Sequence, residues 1–177
     1  MIDPLTDMRK MSVSLVKIEQ DSRYILENLF VYYIYDMSEF MGWSPDQQGQ
    51  YTFNHESLTP YWQERDHIPY FIHVDNELAG FALIRHYPAN PAVFDIEQFF
   101  VLRKFKGNGV GKKALSLVVG KHPGTWQIRV LKENKAALKF WEAALTAIVG
   151  AKFEITLDID IDLQMHFLRF DSPLISH

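Results

Sequence analysis

A chain of 177 residues, 47% hydrophobic and 14% aromatic, can bury the core of one domain, and it contains no apolar run long enough to cross a membrane. The net charge of −4 excludes a broad attraction to nucleic acid or to an anionic membrane and mildly favours a positively charged partner. The absence of cysteine excludes disulfides, thiolate metal sites and cysteine nucleophiles, and it fits a reducing cytoplasm, where we expect the protein to act.

The N-terminal residues 1–11 carry Asp3, Pro4 and Asp7 and no apolar stretch, so they are not a secretory signal. We interpret them as a disordered leader, whether native or added, and assign one domain to residues 12–172.

The first half of the chain predicts a strand, a helix and a meander of strands. Residues 12–18 alternate like a strand, and Asp21 or Ser22 then caps a helix whose apolar residues recur at helical spacing through Met37. The turn-rich residues 42–60 are predicted to form a connecting loop with room for a short helix. Three strand-like runs follow this loop, at residues 69–74, 78–86 and 92–102.

The second half alternates helices with strands. A glycine-rich stretch opens a helix that ends near Gly120, and a strand follows around Ile128. Asn134 caps the clearest helix, which stops at Gly150. Residues 151–163 then predict a strand plus a turn, and residues 165–170 a last strand. With no repeat or linker, this order predicts a single-domain α/β (α+β) fold with a mixed, mostly antiparallel sheet flanked by helices.

The glycine-rich stretch has the composition of an anion site, because an apolar strand runs into glycines that open a helix. Gly107, Gly109 and Gly111 allow the backbone N–H groups to approach phosphate oxygens, and Lys106 and Lys112 add positive charge. Taken alone, the same pattern also fits a glycine-rich turn that merely caps a helix.

Two familiar phosphate motifs do not fit this stretch. A Walker A loop needs a glycine where Lys106 stands and a hydroxyl residue where Lys113 stands, and the dinucleotide fingerprint needs a small residue at Lys112. A nucleotide-binding protein that uses this loop for ATP is therefore disfavoured.

Residues 106–111, Lys-Gly-Asn-Gly-Val-Gly, resemble the acyl-CoA pyrophosphate loop of the GNAT family of N-acetyltransferases, Gln/Arg-x-x-Gly-x-Gly/Ala, with Lys106 in place of Gln or Arg. Residues 134–141 resemble the second signature of that family, Asn-x-x-Ala-x-x-Phe/Leu-Tyr/Trp. The two motifs stand in the right order, and the resemblance covers roughly residues 78–153. A lysine ammonium cannot form the two parallel hydrogen bonds that an arginine guanidinium forms with a phosphate, so Lys106 predicts weaker donor binding.

The resemblance implies a GNAT-like fold and an acyltransferase that moves the acetyl group of acetyl-CoA to a primary amine of a small molecule or peptide, by direct attack in a ternary complex. The residues that it implies for donor binding are Phe99, Phe100, Val101, Lys106, Gly107, Asn108, Gly109, Val110, Gly111, Lys112, Asn134 and Phe140.

Glu97 matches the position where many family members keep a glutamate that removes the proton of the amine, although a strand glutamate can also be a solvated outward charge. Trp141 stands where many relatives have a tyrosine that protonates the thiolate, and indole cannot take that role. Tyr32, Tyr33 and Tyr35 are the substitute phenols, although core packing or substrate contact explains them better.

No metal site is predicted, because the histidines lack ligand spacing and Asp158, Asp160 and Asp162 fit one polar face of a strand or turn. The acceptor stays open among a polyamine, an aminoglycoside, an amino acid and a protein N-terminus, with the variable region from Tyr32 to Trp62 as its expected site. The alternatives are a CoA-binding sensor or regulatory module without turnover and, for assembly, a homodimer.

Overall fold

The structure is a computed structural model that describes residues 11–173. The predicted leader therefore lies outside the described residues except for Met11. The prediction of one domain over residues 12–172 stays a prediction.

Seven strands and four helices alternate along the described part of the chain. Their bounds are β1 Val13–Lys17, α1 Arg23–Met41, α2 Pro60–Gln63, β2 His67–Val74, β3 Glu77–Tyr87, β4 Asn90–Val101, α3 Val110–Lys121, β5 Thr125–Leu131, α4 Lys135–Val149, β6 Phe153–Asp160 and β7 Leu163–Asp171. The strands form one sheet in the order β1-β2-β3-β4-β5-β7-β6, in which only β4 and β5 pair in parallel. The predicted mixed, mostly antiparallel fold is confirmed.

Helix boundaries confirm one predicted cap and correct another. The Asn134 side chain accepts a hydrogen bond from the Ala137 backbone N–H at 3.1 Å, as predicted for an N-cap. The Ser22 side chain makes no such bond, because residues 20–22 form a 3₁₀ turn that leads directly into α1. Helix α1 also continues past Met37 to Met41, where Gly42 adopts a left-handed conformation with φ of 69° and ends it.

The parallel strands β4 and β5 pair over four residues only, from Val93 opposite Thr125 to Ile96 opposite Ile128. Beyond Ile96, β4 continues to Val101 without a partner on that side, while β5 continues along β7. The register between β3 and β4 also shifts between Leu83 and Ile84. A cleft therefore opens between two strands in the middle of the sheet.

The core lies on both faces of the sheet. Helices α3 and α4 pack on one face, around the fully buried Trp126 and Leu115. Helices α1 and α2 pack on the other face over β2 to β4, where Phe81 and Leu83 are fully buried. The described apolar residues grouped under α1 and α2 include none from β5, β6 or β7, and on that part of the face the polar Gln127 and Arg129 stand beside the buried Phe167.

Candidate active site

A cavity of about 960 Å³ opens beside the free end of β4. Its walls are the second half of α1, the end of β4, the glycine-rich turn and the start of α4. Every residue that the sequence predicts for donor binding lines it except Asn108. A cavity of this size and composition is typical of a site for a small molecule or a cofactor.

The glycines of the turn serve two different purposes. Gly107 and Gly109 have φ of 81° and 75°, which side chains rarely adopt, and α3 begins at the residue after Gly109. Gly111 is needed for space instead, since a Cβ on it would lie 2.7 Å from Cζ of Phe140 on α4. Within residues 11–173 no side chain caps α3, so the N–H groups of its first turn can serve an anion.

Two cations near this turn already face a carboxylate on α1. Asp36 lies 3.1 Å from the Arg103 guanidinium and 3.7 Å from Nζ of Lys106, and all three residues line the cavity. The sequence placed Asp36 and Glu39 in the acceptor region, whereas the structure places both on the same cavity as the glycine turn. Arg103 belongs to neither sequence motif, so the sequence did not predict it at this cavity.

Glu97 lies on β4 where that strand leaves β5, on the face covered by α1 and α2. Its Oε2 accepts a hydrogen bond from the Tyr61 hydroxyl at 3.1 Å and lies 2.9 Å from Nε of Arg85. The side chain is 22% exposed, so it is an ion-paired, half-buried carboxylate and not a freely solvated one. Glu97 does not line the cavity itself, but Phe99, two residues along the same strand, does.

Glu97 is one end of a chain of ion pairs that crosses the sheet. Arg85 also bonds the fully buried Asp95 at 3.1 Å, and Arg129 bonds both oxygens of Asp95 at 3.0 and 2.9 Å. Arg129 then bonds Asp160 at the end of β6. Burial alone would lower the pKa of Arg129, but the two aspartates outweigh burial and hold that pKa above its ordinary value.

The sequence predicted only a polar face of a strand or turn at Asp160, and the structure adds an ion pair there, because Arg129 of β5 reaches this carboxylate. Among residues 11–173 no three acidic or histidine side chains are grouped as they would be to hold a metal ion.

The aromatic residues near the cavity divide by burial. Trp141 is 8% exposed and packs edge-on against Phe99 and Phe140, which is the packing role expected of it. Tyr33 lines the cavity, and burial, followed by the charge of Glu97, raises its pKa far above the ordinary phenol value. Tyr35 also lines the cavity but is largely exposed.

None of the helices within residues 11–173 combines the length and apolarity needed to span a bilayer.

The fold and this cavity define a mixed α/β protein with a cleft between separated parallel strands, beside the uncapped start of α3. The chain matches the Acetyltransferase (GNAT) family over residues 30–145, and it therefore belongs to that family. This match confirms the predicted family, the prediction of an acyltransferase and acetyl-CoA as the acyl donor.

Solved structures share the fold at low sequence identity. An acetyltransferase from Thermus thermophilus is 14% identical, with a TM-score of 0.66 over 90% of this chain and 97% of that one. The ribosomal-protein-S18-alanine N-acetyltransferase from Escherichia coli is 10% identical, with a TM-score of 0.60 over 94% and 97%. A Salmonella typhimurium protein solved with its cofactor acetyl-CoA is also 10% identical, with a TM-score of 0.60 over 93% and 96%. A search of curated protein sequences found no match.

Proposed function

We propose that this protein transfers the acetyl group of acetyl-CoA to a primary amine of a small molecule or peptide, by direct attack of the amine in a ternary complex. The observation that carries the proposal is the position of Glu97, which stands two residues before the cavity-lining Phe99 on a strand that has just lost its parallel neighbour.

The residues of the cavity fit acetyl-CoA. The uncapped start of α3 and the left-handed Gly107 and Gly109 suit a pyrophosphate, with Lys106 and Lys112 beside them. The end of β4, residues 99–101, has no partner on its β5 side and offers backbone groups there for an extended chain such as pantetheine. When bound, the donor supplies a thioester carbonyl that an amine can attack.

The reaction breaks the C–S bond of the thioester, forms a C–N bond and releases one proton from the amine. An ordinary alkylamine with a pKa near 10.4 is neutral only about once in 10³ to 10⁴ at neutral pH, which costs about 4 to 5 kcal/mol. A base beside the amine offsets part of that cost. We assign that role to Glu97.

The contacts of Glu97 suit a base with a fixed orientation. Both of its partners, Arg85 and Tyr61, contact Oε2. Among the described residues no partner contacts Oε1, so that oxygen is free to accept a proton from the amine or from a bridging water. Arg85 and Tyr61 are thereby positioning residues for the carboxylate.

The departing thiolate does not need a phenol. A phenol has an ordinary pKa near 10, and an alkyl thiol is an acid of about the same strength. Because burial raises the pKa of Tyr33 further, a proton transfer from Tyr33 to the thiolate would run uphill. Trp141 cannot donate to it as an acid either. We therefore infer that the thiolate leaves as such, with Tyr33 at most a neutral hydrogen-bond donor, and takes its proton from water.

The test is thiol release from acetyl-CoA with a panel of amines, for the parent and for Glu97→Gln. The variant keeps the shape of the side chain, and we expect turnover to fall by about 10²- to 10⁴-fold with CoA affinity nearly unchanged. The loss should shrink as pH rises toward the pKa of the amine, since the neutral fraction grows without help. Glu154→Gln is the matched control, because Glu154 is an exposed glutamate of β6 that neither lines the cavity nor joins the ion-pair chain.

Two results would contradict this assignment. Parental turnover of Glu97→Gln from about pH 6 to about pH 9 would place proton removal on another group. Tight CoA binding without thiol release for any amine would favour the alternative of a CoA-binding sensor or regulatory module, which the replacement of the tyrosine of the family by Trp141 would then explain.

A further inference from the structure

The ion-pair chain that begins at Glu97 carries an unequal number of charges. Arg85 and Arg129 face three carboxylates, those of Glu97, Asp95 and Asp160. The chain therefore has one net negative charge. Asp95 is fully buried between the two guanidiniums, while the side chains at the two ends keep 22% and 18% exposure.

This chain lies where an amine acceptor would approach. Glu97 precedes the cavity-lining Phe99 by two residues, about 7 Å along an extended strand. Tyr33, which lines the donor cavity, is close enough to both Glu97 and Arg129 for their charges to affect its ionisation. The Glu97 and Asp160 side chains keep 22% and 18% exposure, so a small molecule can reach both ends of the ion-pair chain.

Both guanidiniums are paired with carboxylates, Arg129 through all three of its nitrogens and Arg85 through Nε. Arg129 directs Nε and both terminal nitrogens at Asp95 and Asp160. Nε of Arg85 lies within 3.1 Å of carboxylates of both Asp95 and Glu97. A carboxylate on the acceptor would meet net negative charge there, whereas a cationic amine would be attracted to it.

On the basis of the proposed function, we propose that the acceptor is a cationic amine with no carboxylate on the carbon that bears the reacting nitrogen. Free amino acids are therefore excluded as substrates that would accept the acetyl group on their α-amino nitrogen. Decarboxylated amines, amino acid amides and peptide N-termini remain acceptable, because they present the same nitrogen without the negative charge.

The test measures thiol release by the full-length protein with matched acceptors. Tyramine, tyrosinamide and tyrosine form one set, and agmatine, argininamide and arginine form a second. The amide keeps the bulk of the carboxyl group and removes only its charge, so it separates charge from size. For the set that releases thiol fastest, we expect kcat/KM of the free acid to lie at least about tenfold below both the amine and the amide.

A variant pair tests the origin of the discrimination. Asp160→Asn leaves the ion-pair chain without net charge, so the ratio of kcat/KM for the amide to kcat/KM for the free acid should fall severalfold. Asp162→Asn is the control, since Asp162 is an exposed acidic residue of the adjoining turn outside the ion-pair chain, and it should leave the ratio unchanged. If Asp160→Asn does not fold, the parent comparison decides alone.

The outcomes separate this inference from the function beneath it. A free acid that reacts as well as its amide, or an unchanged ratio in a folded Asp160→Asn, overturns the inference while acetyl transfer stands. The absence of thiol release with every amine overturns the proposed function and the inference with it.

Discussion

Gly111 gives Phe140 its space beside the proposed donor cavity, and replacing this glycine with alanine gives a prediction whose size follows from one distance. The new Cβ would lie 2.7 Å from Cζ and 3.0 Å from Cε2 of Phe140. Carbon atoms in contact sit at about 3.5 to 4.0 Å, so the ring must retreat by roughly 1 Å. Phe140 is half-buried and lines the cavity, so the free direction is into the cavity.

Stability and binding should respond differently to Gly111→Ala. Overpacking costs about 1 to 3 kcal/mol, and the gain from replacing a helical glycine with alanine offsets about 0.5 to 1 kcal/mol of it. In the free protein the ring can relax into the cavity, so Tm should change little. With donor bound it cannot, so the overpacking cost appears in binding, as a rise of about 5- to 150-fold in the Kd of CoA by calorimetry.

Two further variants make that reasoning refutable. Gly120→Ala lies in the same helix with nothing within 4 Å of its new Cβ, so it should leave CoA affinity unchanged and raise stability by about 0.5 to 1 kcal/mol. Combining Gly111→Ala with Phe140→Leu removes the ring atom and should restore most of the affinity lost in Gly111→Ala. Strictly additive losses in that double-mutant cycle would show that the ring is not the cause.

Two other sites give predictions of smaller size. Asp36→Asn removes the carboxylate that would compete with a phosphate for Arg103 and Lys106, so the Kd of CoA should fall by up to about fivefold at low salt. This gain in affinity should vanish at high salt. A rise in Kd would show instead that Asp36 positions the two cations. His122 has its pKa lowered, chiefly by burial, so protonation favours the unfolded chain and stability present above about pH 6.5 should be lost as pH falls. His122→Gln should flatten the decline in Tm between about pH 7.5 and about pH 5.5, and an equal slope in parent and variant would contradict this reading.

The elements with strong local signals were predictable from the sequence. Asn134 and Gly150 delimit α4 because an N-cap side chain and a terminal glycine act within a few residues of themselves. The alternation of apolar residues identified the strands for the same reason. The two motifs placed Lys106, Gly109 and Phe140 among the cavity-lining residues, since a motif fixes residue types along the chain. The lining residues of α1 and Arg103 belong to neither motif.

The long-range features had no such signal. Strand β7 inserts between β5 and β6, which depends on pairing among distant residues and not on the pattern of any one strand. The partners of Glu97 are equally distant: Tyr61 lies 36 residues away on a helix too short to show periodicity. Asp160 looked like one of three equivalent acidic residues, because only the three-dimensional fold brings Arg129 to it and not to Asp158 or Asp162.

The path of β4 links the cavity to Glu97, the proposed base. Gly80 on β3 lets the Phe100 carbonyl come so close that a Cβ at residue 80 would lie 1.9 Å from its oxygen. That close approach holds the cavity end of β4 against β3, while the register shift nearer Ile84 leaves Glu97 without a residue opposite it on β3. Since β4 has also left β5 by this point, its backbone faces the cleft on one side while Glu97 projects toward the ion-pair chain. The strand β4, which pairs closely with β3 and no longer pairs with β5, thus sets the distance between the proposed donor site and the proposed base.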